Sequence, residues 1–230
     1  MIKKLRDNLT IEHIKENFSW LLKADIEDAI IGISSGDRGL IWYDGIWLNG
    51  EWFDGIWNNG IWNNGIWRDG IFVNGIWHNG EWHTGCWEYG EWKDGIWHRG
   101  IWRNGEWHDG VWINGVWRNG IWYNGKWEDG EWDNGIWHNG LWEDGGWKDG
   151  IWYSGDRICG YWRKGEWHNG IWYDGMWKDG IWHNGEWFDG EWINGEWHNG
   201  IWHEGKWHKG IWNGGQNAMN VYKAYPPSKW

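Results

Sequence analysis

The stretch GIWNNGIWNNGIWRDG, Gly55–Gly70, returns an indole and a glycine every five residues. From Ile41 to Gly215 the form [I/E]-W-x-[N/D]-G runs through 35 consecutive pentads without insertion or deletion. Gly closes every pentad, and Trp stands second in all but two, where Phe72 and Arg157 replace it. The pentad divides by chemistry. Asn/Asp-Gly is a turn signal, because both residues tolerate positive φ. The x-Trp-x before it suffices for a very short strand, whose alternation sends Trp to one face and its neighbours to the other. The first position is mostly Ile or Glu, and the third is often His, Lys, Arg, Glu or Tyr. The Trp face is therefore the expected interior.

Two architectures satisfy this local rule. In a single-layer meander of short antiparallel hairpins, Asn-Gly makes tight turns and every Trp lines one face. In a β-solenoid, Asn-Gly turns a corner and Trp points to the axis. Burial separates them. A large apolar side chain gains roughly 1.5–3 kcal/mol when buried, whereas an open sheet leaves a long apolar face wet and prone to association. A solenoid hides every indole without a partner, stacking like on like. The Gly two residues before each Trp points to the same side and frees volume for the ring. Taking every fourth pentad, the first-position set Ile41, Ile61, Glu81, Ile101, Ile121, Leu141, Tyr161, Ile181 and Ile201 is apolar but for Glu81. That grouping predicts four sides and about 20 residues per coil.

Period and grouping over residues 41–215 resemble the pentapeptide-repeat family, whose fold is a right-handed quadrilateral β-helix. The family centres on Leu or Phe with a small residue two before. Here the centre is Trp57, Trp62 or Trp67 and the small residue is Gly55, Gly60 or Gly65. The G-x-W-x-N-G string is similar, more weakly, to the hairpin core of MORN repeats. The fold expected is thus an all-β repeat, an elongated quadrilateral β-solenoid with a short helical N-terminal cap, with the meander as the alternative.

Composition fits a repeat. Gly 40 and Trp 35 of 230 residues, with Pro only 2, exclude both the aromatic-poor profile of disorder and the three-residue glycine period of collagen. Residues 1–40 read as a helical cap, with Leu9, Ile11, Ile14, Phe18, Leu21 and Leu22 on one face and Asn8 or Thr10 at its start. Asp25 and Asp28 suggest a second helix opening in DIEDAIIGI, and SSGDRG at 34–39 a break. Residues 216–230 leave the pattern and read as an irregular tail.

Formal net charge is −12; residues 1–40 contribute −1, residues 216–230 contribute +2, and the pentads −13. A phosphate backbone is repelled by such a surface, so no direct nucleic-acid binding is expected. No run approaches the roughly 18 apolar residues of a membrane span, and no signal-peptide pattern follows Met1–Asn8. Cys86 and Cys159 do not make a disulfide framework. A cytoplasmic protein without membrane contact is expected.

Candidate chemistry is sparse. The third-position histidines His78, His83, His98, His108, His138, His168, His183, His198, His203 and His208 include His78 and His98, which stack in the four-sided coil. That spacing fixes no third ligand for a metal, so they read as solvated surface, with no metal or cofactor expected. The Asp at position four alternates with Asn, as a turn allows and acid–base catalysis does not. The one defect, YSGDRICG at 153–160, puts Arg157 in a Trp place and Ile158 one place late. Asp156, Arg157, Ile158 and Cys159 are accordingly a local bulge or an irregular contact site.

These observations favour a non-enzymatic structural or protein-interaction scaffold, with protein partners and a homodimer through one end of the solenoid. Two alternatives remain open. Resemblance to the pentapeptide-repeat family implies acidic mimicry of DNA toward a DNA-handling enzyme. Exposed Trp, were the meander correct, would suit carbohydrate or surface binding.

Overall fold

The computed structural model describes residues 1–34 and 39–217. The chain forms two compact units, Met1–Gly120 and Ile121–Trp230. In each, the pentads wind as a parallel β-solenoid of two-residue strands. The repeat of the coil is fifteen residues, not twenty. In the first unit Glu51–Trp52 pairs with Ile66–Trp67, which pairs with Glu81–Trp82 and so to Ile96–Trp97. In the second, Glu131–Trp132 pairs with Gly146–Trp147, then Tyr161–Trp162 and Met176–Trp177. Each coil therefore has three sides of one pentad. The quadrilateral reading is corrected, and the hairpin meander is excluded by the parallel pairing.

The backbone explains the pentad. Within a unit, a pentad supplies two bonds to the coil before it: Ile66 N–H donates to Gly50 C=O at 2.9 Å and Arg68 N–H to Trp52 C=O at 2.8 Å. The corner satisfies a further donor locally. Gly70 N–H donates to Asp69 Oδ1 at 2.7 Å, and Gly80 N–H to Asn79 Oδ1 at 2.8 Å. Only the glycine carries positive φ, +119° at Gly70. Asn and Asp are thus selected for an acceptor oxygen one residue back, not for a left-handed backbone of their own. That is why Asn-Gly here makes a corner, not a hairpin.

Three inward side chains, indoles except at Phe72 and Arg157, fill the section of a coil. Trp87 stacks on Trp102 at 4.7 Å with planes 6° apart, and meets Trp92 edge-on at 5.9 Å and 72°. Three planes related by a threefold axis and crossing at 72° have normals about 43° from it. A 4.7 Å coil spacing then brings ring faces to about 3.4 Å, van der Waals contact in an offset stack. The tilt thus reconciles strand spacing with ring thickness across the three-sided section. Every second-position side chain from Trp42 to Trp202 is buried, Phe72 and Arg157 included. Each indole removes ~150–250 Å² from water, worth about 4–6 kcal/mol before the entropy of ordering it. Some indole N–H groups, such as those of Trp57, Trp62 and Trp67, are buried without an acceptor; ring packing outweighs that penalty.

The N-terminal segment seals the first coil. It consists of β1 (Ile2–Leu5), α1 (Ile11–Asn17), a 3₁₀ turn (Ser19–Lys23), β2 (Asp25–Ile33) and β3 (Leu40–Asn49). Thr10 caps α1, its Oγ1 accepting from His13 N–H at 3.1 Å. Trp20 packs edge-on against Trp52 at 5.2 Å and lies 6.3 Å from Trp47, closing their ring columns. The expected second helix at DIEDAIIGI is instead β2, antiparallel to β3 and parallel to β1. The open edge of the first coil needs pairing, and the β-branched isoleucines supply it. Asp28, which resembled a helix start, has φ +51° at an irregularity in the β2–β3 ladder. Residues 35–38 of the expected break lie outside the described residues. Gln216–Asn217, expected to open the tail, adds one more rung on Ile201–Trp202; residues 218–230 of that tail lie outside the described residues.

Burial this complete has a spectroscopic signature. Native indole emission should resist iodide and acrylamide, with Trp20, Trp207 and Trp212 contributing most of the quenchable fraction from the described residues, since these three are only half-buried. Guanidinium should raise the Stern–Volmer slope several-fold. A native slope equal to the denatured one would overturn the buried core.

Candidate functional site

With Trp and Gly committed to the interior and corners, chemistry rests on positions one and three. The fifteen-residue coil aligns these into columns. In the first unit one column is apolar: Ile41, Ile56, Ile71, Cys86, Ile101 and Val116 follow one another. Ile71 and Ile101 are exposed and the rest half-buried. In the second unit a column of rings forms at position three. Tyr123, His138, Tyr153, His168 and His183 stack at 5.2, 5.2, 4.9 and 4.6 Å, and His198 continues it at 5.4 Å.

Opposite charges lace the columns. Lys126 Nζ lies 2.9 Å from Glu128 and 3.1 Å from Glu143; Lys206 Nζ lies 3.0 Å from Glu191. The bond from Lys93 holds the Glu91 carboxyl below its usual range, against partial burial. At this exposure solvent screens each pair. Their effect is on pattern: the acidic excess is interrupted by cations and makes no uniform stripe.

Histidine and glutamate also come together, in a register the four-sided reading could not give. His83 stacks on His98 at 4.7 Å, and His168 on His183 at 4.6 Å; His78 and His98 lie on different sides of the coil. Glu81 joins the first pair and Glu166 the second, with the ligand-type atoms of each trio within 4.8 Å of one another. Burial, and the neighbouring Arg68 and His98, push the His83 imidazole below its ordinary pKa, against the opposing pull of Glu81. Burial and the flanking His168 and His198 do the same to His183, against Glu166. The signal existed in the sequence as Glu, His two residues on, and His seventeen on; it becomes visible only once the coil is fifteen.

The defect at 153–160 holds no bulge. Asp156–Arg157 keeps register with Leu141–Trp142 before it and Ile171–Trp172 after it. The neighbouring ladders fix the corner positions, so the substituted side chain simply enters the core. Its guanidinium sits 4.0 Å over the Trp172 ring and 5.8 Å from that of Trp142. It is fully buried, and its nitrogens have no hydrogen-bond partner. Burial pushes its pKa down to about 9, partly opposed by Cys159 and Asp144. Asp156 and Ile158 face outward and are exposed, while Cys159 occupies a half-buried corner. The four residues expected as a contact site therefore do not converge on one surface.

Both cysteines are free. Burial raises the Cys86 thiol above its ordinary pKa, and its Sγ lies 3.3 Å from both Glu88 and Arg103. Such a thiol stays protonated and unreactive at neutral pH. One groove runs along a corner, at Asp44, Asn59, Gly60, Asn74 and Gly75, and opens to solvent. Among the described residues, no helix is long and apolar enough to cross a membrane.

The fold and these columns define a class, the Trp-cored, three-sided parallel β-solenoid repeat. No family, curated protein or solved structure gives a significant match to the chain. The likeness to pentapeptide repeats stands at the level of a β-helix built from five-residue units.

Proposed function

We propose that this protein is a non-enzymatic structural or protein-interaction scaffold. One observation carries the reading: the repeat confines Trp and Gly to interior and corners and leaves positions one and three, where the sequence varies, as outward columns. Core and surface are thereby decoupled, so binding groups can change without disturbing the tube. The aligned row Ile56, Ile71, Ile101 and Val116 is the surface feature that most favours a protein partner, since contiguous exposed apolar area is uncommon on an isolated protein. The acidic-mimic reading rests on net charge, and the interleaved cations weaken it. Sugar stacking on exposed Trp is the less favoured reading, since the column indoles are buried.

The test compares wild type with a variant in which these four residues are threonine. The two should melt within about 2 °C of one another, as surface substitutions usually cost little. Wild type should recover a defined protein partner by affinity capture, and the variant should lose it. Equal capture by both removes the apolar row as the binding surface, and a partner for neither overturns the interaction reading. Competition with DNA for a topoisomerase is the separate arm for mimicry.

A further inference from the structure

We propose that the chain binds Zn²⁺ at two matched surface sites, Glu81–His83–His98 in the first unit and Glu166–His168–His183 in the second. Each site is made by one local rule. A pentad reading Glu-Trp-His puts a carboxylate and an imidazole on the same outer side of the strand, flanking the inward indole. The coil then brings a second imidazole directly above the first. Glu81 Oε2 lies 3.5 Å from His83 Nε2 and 3.8 Å from His98 Nε2. Glu166 Oε2 lies 3.5 Å from His168 Nε2 and 3.7 Å from His183 Nε2. Tetrahedral zinc with bonds of ~2.0–2.1 Å holds its ligands about 3.4 Å apart. Small rotations of half-exposed side chains close the difference, while the strand ladder fixes the Cα positions beneath.

Two imidazoles and a carboxylate form a borderline N/O donor set, suited to zinc and its transition-metal neighbours and poorly to Ca²⁺ or Mg²⁺. Solvent completes the coordination. The Nε2 atoms of His98 and His183 are both buried without a hydrogen-bond partner, so in each trio the second-coil imidazole holds a nitrogen that a cation would satisfy.

The sites differ in what lies beside them. Arg68 Nη1 is 3.4 Å from His83 Nε2 and must swing aside before a cation enters. In the second unit that column position is Tyr153, stacked on His168 at 4.9 Å, and His198 extends the ladder beyond His183. The second site is therefore the tighter. Glu186–His203 and Glu191–His208 also approach, at 3.4 and 3.7 Å, but form no trio among the described residues and serve as internal controls.

Equilibrium dialysis of the full chain against micromolar free Zn²⁺, with excess Mg²⁺ and Ca²⁺ present, tests the assignment. Wild type should take up two equivalents, one for each trio. His98→Phe and His183→Phe, which keep a ring in the stack, should each lose one, and the double variant both. Arg68→Gln should tighten the first site several-fold. Thermal melts report whether each variant folds, and Glu81→Gln with Glu166→Gln provides a second pair acting through the carboxylates. A folded double variant with wild-type zinc content, or a wild type that takes up none, overturns the proposal.

Discussion

Gly115→Ala should cost the first unit about 2–6 kcal/mol, combining backbone strain with overpacking. Gly115 has φ +133°, far outside the range of L side chains. A methyl group there would lie 2.6 Å from the Gly100 carbonyl oxygen and 3.2 Å from the Trp112 ring. Neither can retreat. The oxygen accepts the ladder bond from Val116 N–H at 3.0 Å, and the ring is held in its column. Gly146→Ala is the paired control. Gly146 stands at position one, without positive φ, and nothing lies within 4 Å of its missing methyl. That change should be neutral or stabilise by up to about 1 kcal/mol, through the unfolded chain. Urea melts of both variants decide the matter. A Gly115→Ala protein within 0.5 kcal/mol of wild type would show that the corner is not built as described.

Arg157→Trp should do the opposite and stabilise the second unit by about 3–5 kcal/mol, the scale of an uncompensated buried charge. The cation–π contact with Trp172 returns ~2 kcal/mol of that penalty at most, and the substituted indole restores the stack between Trp142 and Trp172. The pH dependence follows from the direction of the shift. The folded guanidinium titrates at about 9, below its unfolded value. At neutral pH it is charged in both states and the penalty is complete. As pH rises past 9 the folded chain sheds the proton that the unfolded chain retains, so wild-type stability improves relative to the variant. The advantage of Arg157→Trp should be full at pH 7 and shrink above pH 9. A variant that melts below wild type at neutral pH would contradict the buried, unpaired geometry.

The interior was legible in the sequence because it depends on strand alternation alone: Trp inside, its neighbours outside, glycine at the corner. Thr10 as helix cap was equally local. Coil length was not. The twenty-residue grouping from Ile41 to Ile201 arose from the high frequency of Ile at position one, and nothing in that pattern weighs the section three or four indoles need. The strand register settles it, pairing each pentad with the one fifteen residues on, and no composition displays that. The Glu–His trios and the ring column from Tyr123 to His198 were hidden for the same reason, being alignments at fifteen. Asp25–Ile33 misled because its acidic residues look like a helix start, whereas the bare edge of β3 dictated a strand. Arg157 misled in another way: a bulge is the local answer to a misfit residue, but ladders on both sides hold the frame, and the misfit goes inward.

Three equal sides give the tube a phase. Deleting or duplicating one pentad within a unit leaves every indole a place to sit, since all pentads serve the core alike. It also advances everything downstream by one side, dealing each outward residue new neighbours above and below. Changes in multiples of fifteen residues keep the exterior in step. Slippage of the repeat during replication would thus reshuffle surface chemistry wholesale while leaving the aromatic interior intact, a route to new exteriors that point substitution would reach only slowly.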